Sequence, residues 1–305
     1  MSTEFDEKQY EMIFGLHEDG IVDTFGGKTF DLSIIHSNEV RTLDGCLMGV
    51  SRRNVSAVDG FAPLVTYGVS VKKMFDVHDH YSGLMDIRGS GHTMTDPRIA
   101  VYKQRKVDNN LKEYFVLSIG LSGDVFKGDL VSNVVTSLKL CNENVIDLTT
   151  VLQNAAYRNY NDKVDAYMVN QEMFDNCVLA GLCTPFTFLR DGKKKPGYSG
   201  TAHIGAVYVI PTALENDLSL KDFDHTPMGW FTLEELRTVV AAQDGMASVG
   251  QPITPETFGF ANPGYQERLG QLVLTNFEPW SERLIMDSTG EFENLLQHAP
   301  SSTDF

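Results

Sequence analysis

The chain has 305 residues, of which 42% are hydrophobic, a proportion typical of soluble globular proteins. Its 25 basic and 41 acidic residues give a net charge of −16, which repels nucleic-acid backbones and anionic membrane surfaces. The four cysteines form no Cys-x-x-Cys pair, the acidic start lacks the regions of a signal peptide, and no apolar run reaches about eighteen residues. We expect a cytoplasmic protein without a zinc site, a nucleic-acid partner or a membrane partner.

The first ninety residues are predicted to form short strands separated by turns. Residues 40–43 and 46–50 flank an Asp-Gly pair that tolerates the positive φ angles of a hairpin, and residues 64–77 form a second β-rich piece. Residues 87–93 are rich in small and polar side chains, which favours a boundary there. We predict an N-terminal β-rich region over residues 1–92, a main domain over residues 93–298 and a flexible tail over residues 299–305.

The main domain is predicted to begin with a hairpin and a long helix. Residues 98–102 and 114–119 bracket a polar turn, which indicates two antiparallel strands. From Asp147 onward the apolar positions recur every three or four residues, which predicts a helix with Asp147 as its N-cap. The stripe that should pack against a sheet consists of Leu148, Val151, Leu152, Ala155, Ala156 and Tyr160.

Two further elements have clear sequence signals. Residues 203–210 are nearly all apolar, as in a central strand that is covered on both faces. Thr232 and Glu235 have the spacing of a capping box and predict the start of a helix. A last helical stretch is predicted from Pro279 onward.

Five separated motifs, in order along the chain, resemble the Nudix hydrolase superfamily, in a branch sometimes labelled predicted phosphoesterases. They are Ser-Ile-Gly-x-x-Gly at residues 118–123, a degenerate helix at 155–164, His-x-Gly-x-Val-Tyr at 203–208, Gly-Trp-Phe-Thr-Leu-Glu-Glu-Leu at 229–236 and Glu-Pro-Trp-Ser at 278–281. The resemblance spans about residues 96–287. It implies an α+β fold in which a mixed β-sheet is sandwiched between helices, here with an N-terminal β-rich extension.

The resemblance also implies where a Nudix enzyme would hold its catalytic cations. A Nudix helix offers carboxylates at neighbouring positions, whose oxygens bind divalent metal and activate water. In this chain those positions read Asn159, Asp162 and Lys163, after Arg158. We therefore expect a vestigial Nudix helix with no bound metal and no cofactor. Lys163 is expected to form an ion pair with Asp162 and to repel a cation.

Other residues complete the predicted site. Gly120, Gly123, Asp124 and His203 are candidate residues of the cleft. Arg158 could hold a phosphate, but its forked donors favour a role in bracing the glycine-rich loop by hydrogen bonds. A loop tip with three successive lysines is a candidate protein interface, and its residues are Lys193, Lys194 and Lys195.

The lost carboxylates favour a catalytically inactive protein that acts as a protein-binding or adaptor module. A chain that diverges this far from the Nudix pattern is compatible with a phage-encoded factor that acts inside an infected bacterium. One alternative is a metal-dependent hydrolase of nucleoside diphosphate derivatives that uses substitute ligands, namely Asp162, Asp124, Asp129 or Glu172. Another alternative is a cleft that binds a nucleotide as a small-molecule ligand without turnover.

Overall fold

A computed structural model describes residues 12–17, 30–31, 47–52, 54, 61–72, 75–76, 93–94, 97–107, 110–126, 129, 148–165, 178–183, 203–212, 219–249 and 269–299. The strands are β1 (Met12–His17), β2 (Phe30–Asp31), β3 (Leu47–Ser51), β4 (Phe61–Lys72), β5 (Phe75–Asp76), β6 (Thr93–Met94), β7 (Arg98–Val107), β8 (Glu113–Ser118), β9 (Leu121–Asp124), β10 (Val178–Cys183), β11 (Ile204–Pro211) and β12 (His225–Thr232). The helices are α1 (Leu148–Lys163), α2 (Leu233–Val249), α3 (Pro279–Ile285) and α4 (Glu291–His298).

Ten of these strands form one mixed sheet, with the order β12-β7-β4-β11-β10-β2. The pair β4 and β11 is parallel, and the other pairs in the sheet are antiparallel. On the side of β4 away from β11, three strands follow one another as its partners: β1, then β9, then β7. The fold class is therefore α+β, as the sequence predicted.

The long strand β4 lies in the middle of this sheet. Its residues are buried along almost the whole length, because it has partners on both edges and helices over both faces. The sheet contains strands from both sides of the boundary that we predicted near residue 92, since β4 pairs with β7, β9 and β11.

The two faces of the sheet have different coverings. Tyr67, Val69 and Val71 of β4 point into an apolar core that includes residues of α2, α3 and α4. The alternate residues of β4 face α1, where the hydroxyl groups of Ser70 and Tyr160 form a hydrogen bond of 2.7 Å. The predicted apolar stripe of α1 packs here, with Val151, Leu152, Ala155, Ala156 and Tyr160 buried.

The start of α2 confirms the predicted capping box. The backbone N–H of Glu235 donates to Thr232 Oγ1 at 3.2 Å, and the N–H of Thr232 donates to Glu235 Oε2 at 2.8 Å. The predicted hairpin is also present as β7 and β8. No helix in the described part of the chain is long and apolar enough to cross a membrane.

Candidate functional site

The candidate site lies where α1 packs against β9. The glycine-containing motif at residues 118–123 spans two strands. β8 pairs with β7 and ends at Ser118, the chain turns through Gly120, and β9 pairs with β4. Residues 159 and 163 are four apart on α1, so their side chains lie on the same face of the helix. That face is turned toward β9, and Asp162 on another face is exposed to solvent.

Arg158 braces the end of β9. Its Nη2 donates to the carbonyl oxygen of Asp124 at 2.8 Å, and its guanidinium makes two hydrogen bonds to Asp129, of 2.8 and 2.9 Å. The carboxylate of Asp129 is almost fully buried and also accepts the backbone N–H of Phe126 at 2.7 Å. Arg158 therefore has the bracing geometry that the sequence favoured over phosphate binding.

Asn159 is buried against the second glycine of the motif. Its Nδ2 donates to Thr66 Oγ1 at 2.7 Å and to the carbonyl oxygen of Asp124 at 3.1 Å, and its Oδ1 accepts Nη1 of Arg158 at 2.8 Å. A Cβ on Gly123 would overlap this amide. Residue 123 is therefore a glycine because the backbone of β9 comes into direct contact with the side chain of Asn159.

Lys163 ends α1 and reaches the same strand. Its Nζ donates to the carbonyl oxygen of Ser122 at 2.6 Å and lies 3.9 Å from Asp222 Oδ2. Our prediction of an ion pair between Lys163 and Asp162 is wrong, because the ammonium points toward β9 while Asp162 faces solvent. Burial lowers the pKa of Lys163 below its usual value, and nearby carboxylates, Asp222 first among them, oppose this shift.

Asp222 joins Lys163 to a buried histidine. His225 Nδ1 lies 2.8 Å from Asp222 Oδ2, and among the described residues its buried Nε2 has no hydrogen-bond partner. Burial lowers the pKa of His225, the charge of Lys163 lowers it further, and Asp222 raises it in part. Asp222 and His225 were not predicted as site residues, because they lie about sixty positions from the end of α1 and belong to none of the motifs.

Asp124, a candidate cleft residue, is engaged in an ion pair. Arg52 Nη2 donates to Asp124 Oδ2 at 2.7 Å. The guanidinium groups of Arg52 and Arg158 both lie over the ring of Phe126, 5.3 and 4.5 Å from its centroid. These cation–π contacts and ion pairs hold the end of β9 in place.

Gly120 lies against a separate buried polar cluster. A Cβ at this position would overlap the ring of Tyr67. The hydroxyl of Tyr67 is within 2.9 Å of Ser118 Oγ, Ser281 Oγ and Glu278 Oε1, and Lys106 Nζ donates to Glu278 Oε2 at 3.1 Å. Burial, followed by the charge of Glu278, raises the pKa of Tyr67 well above its usual value. This cluster attaches the start of α3 to the sheet.

His203 is half-buried and directly precedes β11. The registers place Ile204 beside Leu64, and Asp124 beside Val65 on the opposite edge of β4. His203 and Asp124 therefore lie at the same end of the sheet, with β4 between them, roughly 10 Å apart in backbone position. The three lysines at 193–195 and Glu172 lie outside the described residues.

The residues that face β9 do not fit a divalent cation. Hard cations need several convergent oxygen ligands, whereas Asn159 and Lys163 direct amide and ammonium N–H groups at the carbonyl oxygens of β9. In the described part of the chain no group of three or more His, Cys, Asp or Glu residues is arranged to hold a metal ion.

No protein-family model matches the chain, and no curated protein sequence matches it. Among solved structures, it is similar to the crystal structure of Tm1382, a candidate Nudix hydrolase, with 15% sequence identity and a TM-score of 0.43. The match covers 75% of this chain and 89% of that chain. A similarity of this degree assigns neither activity nor ligand to the present chain.

Proposed function

We propose that this protein is a Nudix-like protein that works by binding rather than by hydrolysis, as a protein-binding or adaptor module. The observation that carries the proposal is the ammonium of Lys163, which donates to the carbonyl oxygen of Ser122 at 2.6 Å. This ammonium occupies a helix position at which the resemblance implies a metal-binding carboxylate.

A fixed ammonium disfavours a metal ion at the same place. Two unit charges ~4 Å apart interact by about 4 kcal/mol at an effective dielectric near 20, and a divalent cation doubles this repulsion. Asn159 adds no compensating charge, and its Oδ1 already accepts a hydrogen bond from Arg158.

Two of the substitute ligands that a hydrolase would need, Asp124 and Asp129, already have partners. Asp124 is paired with Arg52, and both carboxylate oxygens of Asp129 accept hydrogen bonds. Asp162 is exposed on another face of α1. To bind metal, the buried carboxylate of Asp129 would have to release Arg158, and the partly exposed carboxylate of Asp124 would have to release Arg52, which disfavours the hydrolase alternative.

A hydrolysis assay tests the proposal. The protein is incubated with a panel of nucleoside diphosphate derivatives and Mg²⁺ or Mn²⁺, and the wild type is compared with Asp162→Ala. We expect both proteins to release product at the rate of the enzyme-free control. Metal-dependent turnover by the wild type that Asp162→Ala abolishes would overturn the proposal. Calorimetric titration with the same panel separates a nucleotide-binding cleft from a cleft without nucleotide affinity.

A further inference from the structure

The strand β8 lies at an edge of the sheet. It pairs with β7 on one side. On its other side, Leu117 forms a parallel bridge to Phe277: the N–H of Leu117 donates to the carbonyl oxygen of Asn276, and its carbonyl oxygen accepts the N–H of Glu278, both at 2.8 Å. Among the described residues, no strand pairs with this edge on the N-terminal side of Leu117.

This bridge fixes which backbone groups of β8 point outward. In an antiparallel pair, alternate residues direct both N–H and C=O away from the partner strand. Because Leu117 does so, Phe115 and Glu113 must do so as well. A hydrogen bond on the other edge of β7 supports this assignment. Arg105 is the register partner of Phe115, and its N–H points away from β8 and donates to the carbonyl oxygen of Asp224.

The same edge exposes large apolar side chains. Seven large hydrophobic residues are exposed in the described part of the chain, and four of them belong to this hairpin. Phe115 is 49% exposed, Tyr114 is 45% exposed, and Val107 and Leu111 are exposed to a greater extent. Outward-facing backbone groups that pair with no strand in the described part of the chain lie here beside exposed aromatic rings. Another extended segment can join a sheet at such an edge.

The hairpin also carries the opposite charge to the rest of the protein. Residues 98–117 contain five basic and two acidic side chains, a segment charge of +3 in a chain of net charge −16. Two of the basic groups are paired outside the segment, Arg105 with Asp224 and Lys106 with Glu278. Basic and aromatic side chains share both faces of the edge. Lys103 lies over the ring of Phe115, with its Nζ 4.6 Å from the ring centroid, and Lys106 is the register partner of Tyr114 on the other face.

We propose that the β8 edge binds an extended, acidic segment of a partner protein, which adds to the sheet as a further strand. The proposal rests on the proposed binding function and names its surface and the chemistry of its partner. Backbone hydrogen bonds to Glu113 and Phe115 would hold the segment, and acidic side chains would lie near Lys103 and Lys112. A second copy of the chain is disfavoured as the occupant, because two positively charged hairpins would then lie side by side.

Fluorescence anisotropy of labelled octapeptides tests the proposal. One peptide alternates acidic residues with valine, and its control has lysine in place of each acidic residue. We expect saturable binding of the acidic peptide, weakened by added salt, and no binding of the basic peptide. Absence of binding by the acidic peptide, or equal binding of both peptides, would overturn the proposal and would leave the result of the hydrolysis assay unaffected.

A proline substitution separates strand addition from a general charge effect. Glu113 is the first residue of β8 and its N–H points outward, so Glu113→Pro removes a docking donor without removing a hydrogen bond to β7. Glu113→Ala is the matched control, because both variants lose the carboxylate that pairs with Arg105. We expect Glu113→Pro to bind the acidic peptide about tenfold more weakly than Glu113→Ala. Equal affinities would contradict strand addition.

Charge reversal provides a second variant that keeps the backbone intact. Lys103→Glu/Lys112→Glu should lose affinity for the acidic peptide and gain affinity for the basic one. An unchanged preference would contradict the proposed charge complementarity.

Sedimentation of the wild type and of Glu113→Pro tests whether a second copy of the chain occupies the edge instead. A wild-type dimer that the proline variant lacks would assign the edge to a second copy and overturn the proposal.

Discussion

The ammonium of Lys163 and the carbonyl oxygen of Ser122 are joined by a hydrogen bond of 2.6 Å. This bond ties the last turn of α1 to β9, and Asn159 ties the preceding turn to the same strand. The helix α1 is therefore attached to the sheet by N–H donors of its own side chains.

Replacing Lys163 by methionine should destabilise the protein. The variant keeps the length of the side chain but leaves the carbonyl oxygen of Ser122 without this donor, and hydrogen bonds to charged groups contribute about 1.5–3 kcal/mol. We expect the free energy of unfolding, measured with urea, to fall by an amount in this range. Asp162→Ala is the control on the exposed face of the same helix and should change the stability by about 0.5 kcal/mol or less. Equal losses in the two variants would contradict a special role for Lys163.

Gly123→Ala should destabilise the protein because the new Cβ would overlap the amide of Asn159. Overpacking of this kind costs about 1–3 kcal/mol. Gly270→Ala is a matched control, since Gly270 is helical and its Cβ would meet no atom within 4 Å. We expect Gly270→Ala to be neutral or to raise the melting temperature. Adding Asn159→Ala to Gly123→Ala should recover part of the lost stability by removing the clash, and no recovery would point to backbone strain instead.

Arg158→Ala should lower the free energy of unfolding more than Arg52→Ala. Arg158 is the ion-pair partner of Asp129, whose side chain is 5% exposed, so its loss leaves a buried carboxylate without a cation. We expect a loss of about 2–4 kcal/mol in urea unfolding. Arg52 pairs with the more exposed Asp124, and its replacement should cost about 1 kcal/mol or less. In the Arg158→Ala background, Asp129→Asn should restore stability, because it removes the unpaired charge.

His225 should make the protein less stable at mildly acidic pH. Its pKa in the folded protein is lowered from its usual value of 6.5, mainly by burial. Below about pH 6.5 the unfolded chain therefore binds more protons than the folded protein. The free energy of unfolding decreases as the pH is lowered from there, until the pH reaches the pKa of His225 in the folded protein. His225→Asn should flatten this part of the stability curve, measured by urea unfolding between pH 7 and pH 5. An identical slope in the variant would show that other groups cause the dependence.

The sequence predicted the local elements of the main domain well. The apolar stripe of α1 and the capping box of α2 are set by side chains within a few positions of one another, so their spacing is visible in the chain. Residues 64–77 were predicted to be β-rich and overlap β4, but the central position of β4 was not predicted, because the strands that pair with it come from residues 12–17, 98–107, 121–124 and 204–211. Only long-range pairing showed that its apolar run is central.

Only the residues of the candidate site that lie on α1 could be predicted from the sequence. The residues on α1 were found through the motif, but the groups that they contact are Thr66, Asp129 and Asp222, which lie far apart in sequence and follow no pattern. The direction of Lys163 could not be derived from its neighbour Asp162, because tertiary packing decided which face of the helix meets β9. The adaptor role, the phage origin and the cytoplasmic location stay predictions.

A titration with Mn²⁺, followed by electron paramagnetic resonance of the free ion, tests the central claim most directly. The claim is that amide and ammonium donors on α1 take the place of metal ligands. We predict that the wild type leaves the Mn²⁺ signal unchanged, and that Asn159→Glu/Lys163→Glu, which restores carboxylates beside Asp162, lowers it by binding the ion. Stoichiometric binding of Mn²⁺ by the wild type that Asp162→Ala abolishes would contradict the account.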